Sequence, residues 1–129
     1  MADITRAFVK RFCATLPGSE HSDPWGGGHD AWKVGGKLFA VIGAVDEAVA
    51  VKCRDVETAG LLIELGRAER APYFHRSWVR IPLGEGGNIQ KDELAERLLS
   101  SYRLIRAALP KKVRMALGEE AHERLSSSD

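Results

Sequence analysis

Histidines 21, 29, 75 and 122 are the side chains of this sequence that most invite an acid–base or metal reading, because imidazole changes charge near neutral pH and is a common metal ligand. Two of them fall in one polar stretch with carboxylates close by: His21 stands near Asp23, and His29 next to Asp30. Neither pair has the spacing of a zinc motif, and the two cysteines, Cys13 and Cys53, belong to no Cys-x-x-Cys or ligand cluster. Buried free thiols are favoured for them over a disulfide, since free cysteine behaves as a small hydrophobe. There is no Gly-x-Ser-x-Gly elbow, and Trp25-Gly26-Gly27-Gly28 is not followed by a helix that could cradle phosphate. With no nucleophile, base and orienting group to name together, the expectation is no catalytic residue, no metal and no cofactor, the histidines being surface-loop residues.

Charge patterning says more. From Arg97 to Leu117 there are six basic residues and no acid: Arg97, Arg103, Arg106, Lys111, Lys112 and Arg114. Two explanations stand side by side, cations complementing a helix C-terminus and a patch for phosphate. Residues 67–80 add Arg67, Arg70, Arg76 and Arg80 against the single acid Glu69, with Tyr73, Phe74 and Trp78 interleaved. Those aromatics suit a core more readily than a platform for bases.

The elements that must position these groups centre on a hairpin, Trp32-Lys33-Val34-Gly35-Gly36-Lys37-Leu38-Phe39. The Gly-Gly pair supplies the positive φ angles of a two-residue turn. Residue i on one strand then faces residue 71 − i on the other, which sets Trp32 against Phe39, Lys33 against Leu38 and Val34 against Lys37. Before it, Ile4, Phe8, Phe12 and Leu16 mark a helix over 3–16, with Asp3 as N-cap and Pro17-Gly18 as its stop. Residues 19–28 read as an irregular loop in which Trp25 either packs over the core edge, the favoured alternative, or presents its indole at the surface. Ala48 to Cys53 makes a third strand. Asp55 caps a helix that ends at Gly66. Residues 67–83 read as a second hairpin with strands Ala71–Phe74 and Trp78–Ile81 and a tip at His75-Arg76-Ser77, Pro72 forcing its strand to be short or at an edge. Leu94, Leu98, Tyr102, Ile105 and Leu109 give the longest helical pattern, interrupted at Pro110 and followed by a short turn over 111–117.

At 129 residues with 44% hydrophobic and 29% charged side chains, the chain has the makings of one globular domain. The expected division is a single domain over 1–118 and a polar tail over 119–129. The formal net charge of +1 excludes a protein that coats nucleic acid by bulk charge, so any such binding needs a local patch. No leader or membrane span is recognisable, and a cytoplasmic location is expected.

The run His29-Asp30-Ala31-Trp32-Lys33-Val34-Gly35-Gly36-Lys37-Leu38-Phe39-Ala40, then Pro72-Tyr73 and Trp78-Val79, then Ser101-Tyr102 and Leu109-Pro110-Lys111-Lys112, resembles the MmcQ/YjbR family of small bacterial proteins over nearly the whole chain. The resemblance implies an α+β fold: an antiparallel sheet of about five strands with two hairpins, packed by N-terminal, middle and C-terminal helices in a secretion-chaperone-like architecture. It also implies DNA binding through a double wing. The wings would be the two hairpins, with Lys33, Lys37, Arg76 and Arg80 as phosphate contacts, and the C-terminal basic stretch adds Lys111 and Lys112. Many relatives carry a longer second tip with Asn-Lys; this chain has Phe74-His75-Arg76-Ser77-Trp78, so its second wing is shorter and lacks that lysine. A protein-interaction module with no nucleic-acid partner is the alternative function.

Overall fold

The computed structural model describes residues 5–44, 47–84 and 87–117. The apolar stripe of the N-terminal stretch becomes α1 (Arg6–Ala14), which buries Phe8, Val9 and Cys13. Its N-cap is Thr5, whose hydroxyl accepts from the Phe8 N–H. That is the cap role expected of Asp3, which lies outside the described residues. Four strands follow: β1 (Ser19–Ser22), β2 (Asp30–Val34), β3 (Lys37–Ile42) and β4 (Ala48–Lys52). Helix α2 (Val56–Glu64) is capped by the Asp55 carboxylate on the Thr58 N–H at 2.7 Å. Then come β5 (Glu69–Arg70), β6 (Trp78–Pro82), the long α3 (Lys91–Ala107) and the short α4 (Lys111–Ala116). The six strands form one antiparallel sheet in the order β1-β2-β3-β4-β6-β5. The tail expected over 119–129 lies outside the described residues.

Alternation along the strands divides the side chains between two faces. The inner face carries Trp32, Val34, Ile42, Val49, Val51, Val79 and Ile81, and α1, α2 and α3 close over it with Phe8, Val9, Ala59, Leu62, Leu94, Leu98 and Tyr102. The outer face carries a smaller cluster of Ala31, Val41, Ala50, Ala71 and Trp78, packed by Leu38, Phe74 and Ile105. An antiparallel sheet packed by helices is the α+β arrangement that the family resemblance implies, here with the helices on one side.

The first hairpin turns at Gly35 and Gly36, both with positive φ (58° and 82°), and pairs Val34 with Lys37 and Lys33 with Leu38 as expected. The next pair departs. Trp32 faces Ala40, so Phe39 is the extra residue of a β-bulge. Trp32 and Phe39 are both buried in the inner core, but they are not a directly opposed pair. Helix α3 meets the sheet at the same place. Ser101 Oγ donates to the Phe39 carbonyl at 2.6 Å and accepts from the Lys52 N–H at 2.9 Å, just where the β3–β4 ladder stops at Ala40 and Val51. The bulge turns the Phe39 ring edge-on to Tyr102, with centroids 5.3 Å apart. Tyr102 in turn donates its hydroxyl to the Pro17 carbonyl, tying the end of α1 to the same helix.

Two further departures have local causes. The stretch after Pro17-Gly18 holds β1, an edge strand whose backbone pairs with β2 from Ser19–Val34 to Ser22–Ala31. The second hairpin is shorter than expected, because the strand opposite β6 is only Glu69–Arg70. Residues 71–77 instead fold into successive turns, with Phe74 N–H donating to Ala71 O and Trp78 N–H to His75 O. Pro72 has no N–H to give a ladder there, and Phe74 folds back to stack on Trp78 at 4.6 Å.

Ser101→Ala should cost about 1 to 3 kcal/mol, the range for leaving buried backbone groups without a partner. Phe39→Ala should cost about 3 to 5 kcal/mol. Urea unfolding followed by circular dichroism measures both; a loss for Ser101→Ala within error of zero would show that water replaces the hydroxyl.

Candidate nucleic-acid interface

The site begins at the Gly35-Gly36 turn. A Cβ built on Gly35 would stand 2.6 Å from Leu109 Cδ1 and 2.9 Å from Val113 Cγ1, so the corner between α3 and α4 rests directly on the hairpin tip. Leu109 is buried there, while Lys111 and Lys112, the first residues of α4, are exposed. Lys37 is exposed at the tip itself. The same end of the sheet receives the last residues of β4 and the first of β6, since Lys52 pairs with Trp78. The Ser77 carbonyl accepts from the Cys53 N–H at 2.7 Å, fastening the 71–77 turns to the end of β4 and setting exposed Arg76 beside it. Lys52 Nζ donates to Ser77 Oγ at 3.0 Å, and the His75 ring lies 2.9 Å from that hydroxyl. Lys52 and the exposed Arg54, whose Nε is 3.5 Å from Asp55, therefore belong to this end as well. Sequence reasoning missed both.

The structure thus gathers Lys37, Arg76, Lys111 and Lys112 at one end, with Lys33 on the hairpin that leads to it. None of these five has an ion-pair partner among the described residues. Arg80 stands apart. It lies mid-strand opposite Ala50, and its guanidinium is bonded to the Glu69 carboxylate. The remaining basic residues of the C-terminal run are divided: Arg106 is buried in α3, and Arg114 donates Nε to the Leu109 carbonyl at 3.0 Å. Lys111 and Lys112 open α4, where the helix end carries partial positive charge, so complement to their own helix does not account for them.

The histidine–aspartate pairs exchange partners relative to their order in the chain. His21 Nε2 lies 2.6 Å from Asp30 Oδ1, and the His21 ring packs on Trp32 at 5.3 Å. Asp30 is buried and also takes Arg6 Nη1 at 2.7 Å, while Arg6 Nη2 donates to the Gly43 carbonyl at 2.6 Å. One carboxylate thus joins α1, β1, β2 and the turn after β3. Burial alone would raise the Asp30 pKa; the hydrogen bonds from Arg6 and His21, with the charges of Lys10 and Arg6, outweigh it and hold the carboxyl below the usual range. Asp23, by contrast, closes its own loop by accepting from the Gly28 and His29 N–H groups at 2.9 and 3.1 Å. Trp25 rides on that loop with its ring against His29 and is 62% exposed, so it does not plug the core. The thiols of Cys13 and Cys53 are free and buried, and burial pushes Cys13 up to about 12. No group of three His, Cys, Asp or Glu among the described residues could hold a metal ion, and no described helix is long and apolar enough to cross a membrane.

Fold and site together define a small α+β protein with an open antiparallel sheet, helices on one face and a basic sheet end. The chain belongs to the YjbR family, whose model matches residues 14–104. Among solved structures it is similar to the crystal structure of Deinococcus radiodurans protein DR2400, a DUF419-domain protein, with a TM-score of 0.79 at 22% identity over 89% of this chain and 88% of that one. That likeness establishes the fold. No curated protein matches the chain.

The Asp30 network makes a pH prediction. A carboxyl whose folded pKa is depressed contributes stability that is fully present above its unfolded value, near 3.8, and is lost as pH falls through the lower folded value. Asp30→Asn should lower stability at pH 7 by about 1.5 to 3 kcal/mol, the scale of a hydrogen bond to a charged group. The gap to wild type should narrow as pH falls below about 3.8. Chemical denaturation from pH 7 to pH 2.5 measures it, and a gap independent of pH would assign the effect to packing.

Proposed function

We propose that this YjbR-family protein binds duplex DNA through phosphate contacts from the basic end of its sheet, using the Gly35-Gly36 hairpin, the 71–77 turns and the start of α4. The observation that carries this reading is the gathering there of Lys37, Arg76, Lys111 and Lys112, all exposed and none neutralised by a described carboxylate. A chain of net charge +1 cannot hold DNA by bulk attraction, so an uncompensated local patch is the form such binding must take. The second wing contributes a compact turn bearing Arg76 rather than a protruding ribbon. Arg80 is left out because Glu69 holds its guanidinium. Contacts of this kind position a protein on DNA and carry little sequence information directly.

Helix α2 favours a second reading, a protein-interaction module. Val56, Leu61, Ile63 and Leu65 are exposed along it, at 37%, 53%, 39% and 54%. By helical spacing Val56 lies beside Ile63 and Leu61 beside the C-cap Leu65, two small apolar pairs flanking the buried Ala59 and Leu62, and adjoining exposed apolar groups mark contact surfaces more often than single ones do.

Fluorescence anisotropy on a labelled duplex separates the two. Under the DNA reading, log K should fall with log salt by about 0.9 for each phosphate neutralised. Lys37→Glu with Lys111→Glu should weaken binding across unrelated sequences and flatten that slope, with stability changed by no more than about 0.5 kcal/mol, as for most surface substitutions. No binding at low salt, or equal binding by wild type and variant, would transfer the function to α2.

A further inference from the structure

The outer face of the sheet carries a groove apart from the basic end and from α2. One row of side chains crosses that face in register: Ala31, Val41 and Ala50 on β2, β3 and β4, then Arg80 on β6 and Glu69 on β5. Val41 and Ala50, with Ala48 on the same face of β4, floor a groove of about 810 Å³. An aromatic ring stands on either side. Trp25, held out by the Asp23-closed loop with its ring against His29, is 62% exposed. Tyr73, on the 71–77 turns beside Phe74, is 94% exposed. Neither the Trp25 indole N–H nor the Tyr73 hydroxyl has a hydrogen-bond partner among the described residues. Two arginines border the groove, and neither offers it a free charge. The Arg80 guanidinium is bonded to Glu69, and Arg70, opposite the inner-face Val79, directs its side chain to the other face.

We infer that this groove binds an uncharged, proline-rich segment of a partner protein. Its pyrrolidine rings would lie on the Val41–Ala50 floor between Trp25 and Tyr73, and its carbonyls would accept from the indole N–H and the phenol. A polyproline II chain leaves every backbone carbonyl without an internal partner, and it is already extended before it docks. Aromatic-lined grooves are the general means of holding such a chain. Here the two exposed rings present flat apolar faces and a polar donor each, over a floor of small side chains. With Arg80 neutralised and Arg70 on the other face, the charge complement of the groove is a segment without charge. Single-stranded nucleic acid also stacks on exposed rings, but its phosphates call for cations that this groove does not present. The inference uses none of the lysines at the basic end and is independent of DNA binding.

The probe is decaproline, acetylated and amidated so that it carries no charge, titrated against the full chain by isothermal calorimetry. Wild type should bind one peptide per chain, with the same affinity at low and high salt because no ion pair forms. Trp25→Ala and Tyr73→Ala should each weaken binding by about tenfold. Tyr73→Phe, which keeps the ring and removes the donor, should weaken it by about fivefold. Both positions are exposed, so urea unfolding should show the stability of wild type in all three variants. Lys37→Glu should leave the peptide affinity unchanged. No saturable heat with decaproline, or equal affinity for wild type and both alanine variants, would overturn the inference. So would a short oligothymidylate that displaces decaproline and loses affinity in the Trp25 and Tyr73 variants, which would assign the groove to single-stranded nucleic acid.

Discussion

The hydroxyl of Ser101 is the small group on which the arrangement of this protein turns. Sheet backbone needs a partner for every buried N–H and carbonyl, and β3 and β4 stop supplying each other after Ala40 and Val51. Ser101 takes over at that point, accepting from Lys52 and donating to Phe39. A helix can therefore press against the sheet where two strands part without leaving orphaned groups. Its direction is then fixed by Tyr102 on the Pro17 carbonyl and by Leu109 on Gly35. Lys111 and Lys112 arrive beside the hairpin tip because α3 is anchored in that way, one turn after another.

The two faces of the sheet are built on different terms. Inside, large side chains from three helices fill the space against Trp32, Phe39 and Ile42. Outside, the positions across β2, β3 and β4 are Ala31, Val41 and Ala50, which are paired in register and too small to support a second layer. Among the described residues the face is covered where Phe74, Leu38 and Ile105 reach over its edge. Asp30 stabilises the opposite corner, holding α1 to β1 and β2 through Arg6 and His21, so that the loop carrying Trp25 starts and ends on fixed strands.

Much of this was legible from local chemistry. Gly35-Gly36 dictated the turn and the first two pairs of its register, Asp55 and Gly66 bounded α2, and the four-residue spacing of Leu94, Leu98 and Tyr102 gave α3. What escaped had causes distant in sequence or hidden by exposure. The bulge at Phe39 coincides with the Ser101 contact, 62 residues away, and no property of the hairpin announces it. Strand β1 is polar and at an edge, so it shows no alternation to detect. The size of Trp25 favours packing over the core edge against exposure at the surface; three glycines of positive φ and the Asp23 cap hold it outward. Lys52 had a usable signal. Ala48, Ala50 and Lys52 share one face by the two-residue period, which already describes a shallow surface ending in a cation.

Charge is where composition and structure diverge most. Nineteen basic and eighteen acidic residues nearly cancel, yet the described carboxylates are not distributed to match the cations. Asp30 serves Arg6 and His21, Glu69 serves Arg80, and Glu93 serves Arg67 at 3.0 Å. These acids sit at the Arg6 corner, on the outer face and between α2 and α3. The sheet end with Lys37, Arg76, Lys111 and Lys112 has Asp55 nearby, and that carboxylate is engaged by Thr58 and Arg54. Because screening limits exposed charges to about 8 Å at physiological salt, carboxylates elsewhere on the molecule do little to neutralise that end. A protein near electrical neutrality can thus gather exposed cations at one sheet end while Asp30, Glu69 and Glu93 are engaged in pairs elsewhere, with Glu20, opposite Lys33 on β1, as the carboxylate flanking that end.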